Sequence, residues 1–372
     1  MKKANGNEII QLFESWVPKK LACMENDPIG LAIGTLNKEV TKVLVTLDVN
    51  EEVADEAIEK GCQLIIAHHP PIFRKLSNLR TDTPSGKLYE MLIKNDIAVY
   101  AAHTNLDVAE GGVNDLLADA LELENREILE KTYSEHLMKL AVFVPVDHAE
   151  ELRYVLAKAG AGKIGNYDSC SYSTAGTGRF RPLEGANPYI GDVGEIESTE
   201  EEKIEVVFPT SMKNRILKAM LNAHPYEEPA YDLYTLAQET NEYGIGRIGT
   251  LKETMTLRQF AEYVKERLNV PMVRIVGKEN ETVSKVAVLG GDGNKYIHIA
   301  KRAGADVFVT GDMYFHVAQD AQAIGLNIVD PGHHVEKVMI KGVKEKMTAL
   351  CDGKLDVEFI ESEVNTEPFI FI

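Results

Sequence analysis

Short apolar runs that each stop at a histidine or an aspartate constrain this sequence most. "TKVLVTLD" (41–48), "QLIIA" (63–67) and "IAVYAA" (97–102) are brief and β-branched, and helical patterns such as "EEVADEAIEKG" and "GKLYEMLIKND" separate them. Strands alternating with helices build βαβ units, whose parallel sheet is covered on both faces. The last third repeats the grammar. "KVAVLGG" (285–291), "DVFVTGD" (306–312) and "NIVDPGHH" (327–334) end strands, and "KLDVEFIES" follows a helix near 334–349 as a closing strand. The expected fold class is α/β, a discontinuous domain with a mainly parallel sheet.

The middle departs from this pattern. "MKLAVFVPVDHAEELRYVLAKAGAG" (138–162) reads as strand, turn and helix, with glycines ending the helix. A Gly-, Ser- and Tyr-rich hairpin or long loop follows, then the strand "EKIEVVFP", the helix "SMKNRILKAMLNAH" and the strand "AYDLYTLA". The order β-α-β-β-α-β is that of a ferredoxin-like α+β unit. We expect 131–240 to be an inserted domain, with 1–130 and 241–372 as the two halves of the other. The acidic run "EIESTEEEKIE" reads as a solvated loop. A length of 372 residues also favours more than one core.

Charge and cysteine content exclude several function classes. The net charge of −18 argues against nucleic acid as a partner, because phosphate binding needs clustered Lys and Arg. No apolar run has the length of a membrane span, and "MKKANGNEII" lacks the apolar core of a signal peptide. The expected location is the cytoplasm. Cys23, Cys62, Cys170 and Cys351 are scattered, which suits neither a disulfide framework nor a thiolate zinc site.

Ligands of open α/β sheets bind beyond the carboxyl ends of the strands. There this chain places Asp48, then His68 and His69, then His103, Asn105 and Asp107. The later strands lead to Asp292, to Asp312 with His316, and to His333, His334 and Glu336. Five of the ten histidines fall in three of these endings. Imidazole and carboxylate without thiolate suit zinc, manganese, iron or cobalt. Pro70 and Pro71 stiffen the "HHPP" segment. Adjacent residues of an extended chain point apart, so His68 and His69 are expected to serve two ions on either side. His103 and His316 read as ligands, proton shuttles or supports. Asp48, Asp292 and Asp312 are candidate helix N-caps, and the "GGDG" of 290–293 is a weak candidate phosphate cradle.

At these residues the sequence resembles a known family. "DPIGLAIG" (27–34), "AHHPPIF" (67–73), "HTNLD" (103–107), "GIGRIG" (244–249), "VLGGDG" (288–293), "TGDMYFH" (310–316) and "DPGHHVEK" (330–337) are similar to the GTP cyclohydrolase 1 type 2 homologues, or NGG-interacting-factor-three-like proteins. The likeness covers nearly the whole chain. It implies a dinuclear centre of two divalent ions (Zn, Fe or Mn) held by His68, His69, Asp107, His333 and Glu336. In many relatives the Glu follows its His by four positions. Here the spacing is three, which leaves His334 as an alternative to His333. The resemblance further implies a PII- or CutA-like insertion and a ring-shaped homohexamer.

The function expected from this is a metal-dependent hydrolase using a metal-bridged hydroxide, with His103 or His316 moving protons. The substrate class is a purine nucleotide or a phosphoester, although no P-loop is present. The alternative is a metal-handling or regulatory hexamer that binds a small molecule without turnover.

Overall fold

The computed structural model describes residues 2–372. The chain forms two compact units. One comprises the segments up to Tyr133 and from Tyr243, and the other is Ser134–Glu242.

The first unit is α/β and contains more than the single sheet expected. One sheet has the order Glu358–Glu361, Lys42–Thr46, Leu64–Ala67, Ala98–Ala101, Gly30–Ile33. Its first four strands are parallel, and Gly30–Ile33 closes the far edge antiparallel. The near edge is taken by Glu358–Glu361, so no place remains there for the strands of residues 282–330. Those build a second, mixed sheet. Thr282–Asp292, Val307–Gly311 and Asn327–Asp330 are parallel, flanked antiparallel by Arg274–Val276 and by Tyr231–Thr256. The one-sheet expectation failed because Glu358–Glu361, from the second half, takes the edge at which the other late strands would have joined.

Local chemistry explains the elements. Leu64–Ala67 and Ala98–Ala101 are buried along their whole length, as central parallel strands must be. The helix Glu51–Glu59 starts where the Asn50 side chain accepts from the Val53 N–H at 2.9 Å. Thr83 caps Pro84–Lys94, with proline in the first turn where its missing N–H costs nothing.

The second unit has the element order strand, helix, strand, strand, helix, strand. Its sheet order is Tyr231–Thr256, Glu124–Pro145, Glu197–Pro209, Tyr172–Phe180. The outer two of the four in sequence, Glu124–Pro145 and Tyr231–Thr256, are long enough to contribute to both units. Leu140, Val142, Ile204 and Val206 face the helices Ala149–Lys158 and Lys213–Ala223, meeting Leu152, Leu156, Ile216 and Met220. The acidic run is a correction. It is not a loop but the beginning of the strand Glu197–Pro209. Its charges are tolerated because they alternate between faces: Glu202 pairs with Arg153 at 2.5 Å, whereas Glu201 turns to the opposite face and bonds Tyr226.

Both crossings between units lie within single strands. Replacing residues 134–242 by a short Gly/Ser linker is therefore expected to leave a folded unit. Circular dichroism and a cooperative melt check this; a soluble but unfolded product would contradict it.

Candidate metal centre

The carboxyl ends of the two larger sheets described for the first unit bring six of the expected residues together. His68 and His69 leave Leu64–Ala67, His103 and Asp107 follow Ala98–Ala101, and His333 and Glu336 follow Asn327–Asp330. Three groupings place one ligand atom per residue within 4.8 Å of one another: His68, His69 and His103; His69, His333 and Glu336; His68, Asp107 and Glu336.

His68 and His69 do not diverge as an extended chain would require. Their rings lie 4.9 Å apart, because residues 68 and 69 sit in a bend beyond the strand. His103 closes on both, at 5.4 Å and 5.9 Å between ring centroids, and His333 lies 5.2 Å from His69.

Each ring is oriented through Nδ1. His68 Nδ1 bonds the Ala102 carbonyl at 2.9 Å. His69 Nδ1 bonds Asp48 at 2.7 Å, His103 Nδ1 bonds Asp27 at 2.8 Å, and His333 Nδ1 bonds Asp312 at 2.8 Å. An acceptor at Nδ1 leaves Nε2 to carry the lone pair, which is how metal-binding imidazoles are held. Asp48 and Asp312 therefore orient the His69 and His333 rings and are not helix caps. Asp292 joins neither role: it accepts from Asn294 at 2.9 Å and Tyr314 at 2.8 Å. Asp48 is itself gripped by the Thr366 hydroxyl at 2.5 Å.

Two atoms decide whether this cluster fits a metal. His68 Nε2 and Asp107 Oδ1 are buried without a hydrogen-bond partner. They stand 3.6 Å apart, and His68 Nε2 is also 3.6 Å from Glu336 Oε2, too far for a hydrogen bond. Each unmet buried polar atom costs about 1–3 kcal/mol. A cation between them would offset that cost, and the nitrogen and oxygen donors suit a divalent transition ion.

Electrostatics point the same way. Burial opposes charge on Glu336, yet the imidazoles of His68, His333 and His69 hold its carboxyl well below the usual range. Burial lifts Asp107 to about 6 against the pull of His68. Burial depresses His69 and His333, but the facing carboxylates outweigh it and push them up to about 10 and about 9.

The expected His316 is not brought in. It is exposed at the start of Phe315–Ala323, and its Nδ1 faces Gln319 at 3.2 Å. His334 also lies outside the groupings, with Nε2 3.4 Å from Thr366. Gly290 and Gly291 serve clearance: a Cβ would sit 2.9 Å and 2.7 Å from Glu336 Oε1, and Gly291 has φ of 61°. That accounts for "GGDG" without a phosphate.

Residues 4–368 match the model of one protein family, described as Duf34/NIF3 (NGG1p interacting factor 3). The chain belongs to the Duf34/NIF3 family. A GTP cyclohydrolase 1 type 2 homolog of Bacillus subtilis is 58% identical over 372 residues, covering all of both chains. One from Listeria innocua is 50% identical over 375, again over the full length of both. The crystal structure of a Bacillus cereus protein related to NIF3 superposes with a TM-score of 0.92 at 57% identity, covering both chains fully. A Staphylococcus aureus protein does so with 0.79 at 34% identity, over the same coverage. This Duf34/NIF3 chain thus has full-length relatives and folded counterparts.

Two predictions follow from the ring supports. Thr366→Val frees one oxygen of Asp48 and is expected to weaken metal binding about tenfold, with Thr366→Ser retaining affinity. Competition with a chelating dye measures it; equal affinity in the Val variant would contradict the support role. Separately, imidazoles raised above their ordinary 6.5 hold protons at neutral pH, and metal needs them off. Affinity should rise with pH from about 7 to 9, with protons released on loading. Calorimetry in buffers of different ionisation enthalpy counts them; binding without proton release would contradict the assignment.

Proposed function

We propose that this Duf34/NIF3 chain is a metal-dependent hydrolase holding two divalent ions. His68, Asp107 and Glu336 would hold one, and His69, His333 and Glu336 the other. The carrying observation is that Glu336 belongs to both sets while His68 Nε2 and Asp107 Oδ1 lack partners. Bound zinc, iron or manganese would supply Lewis acidity and an activated water.

The chain's own residues do the rest. Asp27 fixes His103 through Nδ1, so Nε2 is free to take a proton from water and return it to the leaving group. Asp48, Asp312 and the Ala102 carbonyl hold the other rings and keep them from turning. Phe73 lies 6.2 Å from His103, edge to face, and gives the mouth an apolar wall. His316 has no part in this arrangement.

The substrate class is a purine nucleotide or a phosphoester, supported by the names of the relatives, GTP cyclohydrolase 1 type 2 homologs, and by a ligand set with no competing nucleophile. Ser134–Glu242 is read as the PII- or CutA-like insertion, supported by its strand order. The assembly is read as a homohexamer and the location as cytoplasmic. No described helix is long and apolar enough to cross a membrane.

A turnover screen with zinc, iron and manganese forms against nucleotides and phosphoesters tests the reading. His103→Gln should lower kcat by about 100-fold or more with metal content intact. Loss of metal in that variant would make His103 a ligand. No metal-dependent turnover in any form would favour the metal-handling alternative.

A further inference from the structure

A second candidate site lies wholly within Ser134–Glu242. In its sheet, Gly176 pairs with Glu201 and Phe143 pairs with Lys203. Those residues face away from the helices, since Val142 and Ile204 face towards them. The open face carries a cavity of about 730 Å³, lined among others by Phe143, Gly176, Phe180, Tyr189, Glu201 and Tyr226. That volume suits a small organic ligand.

Glu201 is the unusual lining group. It is 8% exposed, and it forms no ion pair among the described residues. Among the described residues, its side chain accepts from the Tyr226 hydroxyl at 3.0 Å. A buried carboxylate without a cation is costly, and natural structures pair such groups. The fold makes room for it. A Cβ on Gly178 would lie 2.2 Å from Glu201 Oε2, whereas a Cβ on Gly176 would meet nothing within 4 Å. Glycine at 178 thus seats the carboxylate, and glycine at 176 faces open space.

The walls suit a cation. Tyr226 lies 5.8 Å from Phe180 and 6.3 Å from Tyr189, ring to ring. Aromatic faces attract ammonium and guanidinium-type groups. Basic residues also line the cavity, but none competes for Glu201. Lys203 pairs with Glu205 at 3.4 Å. Arg179 and Arg181 are exposed, so water and salt screen them.

We propose that this cavity binds a small organic cation, an amine or amidinium on an apolar or aromatic body, with Glu201 as counter-ion and Phe180, Tyr189 and Tyr226 as walls. The site needs no part of the metal centre and stands independently of the hydrolase reading.

The test uses the full chain and calorimetry with four probes. Benzamidine and tryptamine are the cations, and benzoate and indole-3-acetate are their anionic counterparts. The cations should bind at least tenfold tighter than the anions. Glu201→Gln keeps the Tyr226 hydrogen bond but removes the charge, and should weaken the cations at least tenfold. Gly176→Leu fills the space from the facing strand while leaving the Glu201 charge in place, and should weaken them similarly, so a misfolded Gln variant would not leave the idea unexamined. Metal content should not change in either. Equal binding of anions, full cation binding in both variants, or no cation binding at millimolar concentration would each overturn the proposal.

Discussion

The Glu336 carboxylate, buried and facing the Nε2 atoms of His68, His69 and His333, is the interaction on which the site depends. It lies 3.1–3.6 Å from those three nitrogens. Among the described residues, no other is shared by groupings drawn from both sheets. A carboxylate is affordable at 3% exposure only among positive charge, either protonated imidazoles or metal ions. The two states exclude each other, because the same Nε2 atoms carry the proton or the metal. Metal loading at this cluster would therefore be a proton exchange around a fixed anion.

The surrounding fold keeps that anion in place. Gly290 and Gly291 let the backbone of Thr282–Asp292 pass beside Glu336, where any side chain would collide. The Asn114 amide oxygen accepts the Gly290 N–H at 3.0 Å, and its nitrogen donates to the Asp107 carbonyl at 2.9 Å. This one side chain ties the Asp107 segment to the strand beside Glu336. Ring orientation is equally indirect. Residues far apart in sequence, Asp27 with His103 and Thr366 with Asp48, converge only in the folded chain.

Much of this was legible in the sequence. Apolar β-branched runs marked the strands, and their polar endings marked His68, His69, His103, Asp107, His333 and Glu336. What failed did so for physical reasons. His316 follows Asp312 by one turn, as a site residue might, but its helix turns that position to solvent. The divergence argument for His68 and His69 assumed extended backbone where the chain bends. Asp27 sat inside a noticed motif, yet nothing local showed a partner at 103. The acidic strand was hidden because charge density suggested solvent, while the alternation of faces, visible in Ile204 and Val206, was the better signal. Glu201 illustrates the same blind spot: composition says surface, but register puts it under a cavity.

The most direct test of the central claim is anomalous diffraction from crystals of the metal-loaded protein, measured on either side of the metal's absorption edge. The account predicts two peaks in each chain, one contacted by His68 and Asp107, the other by His69 and His333, with Glu336 between them. A single peak, or two peaks that do not share Glu336, would contradict it.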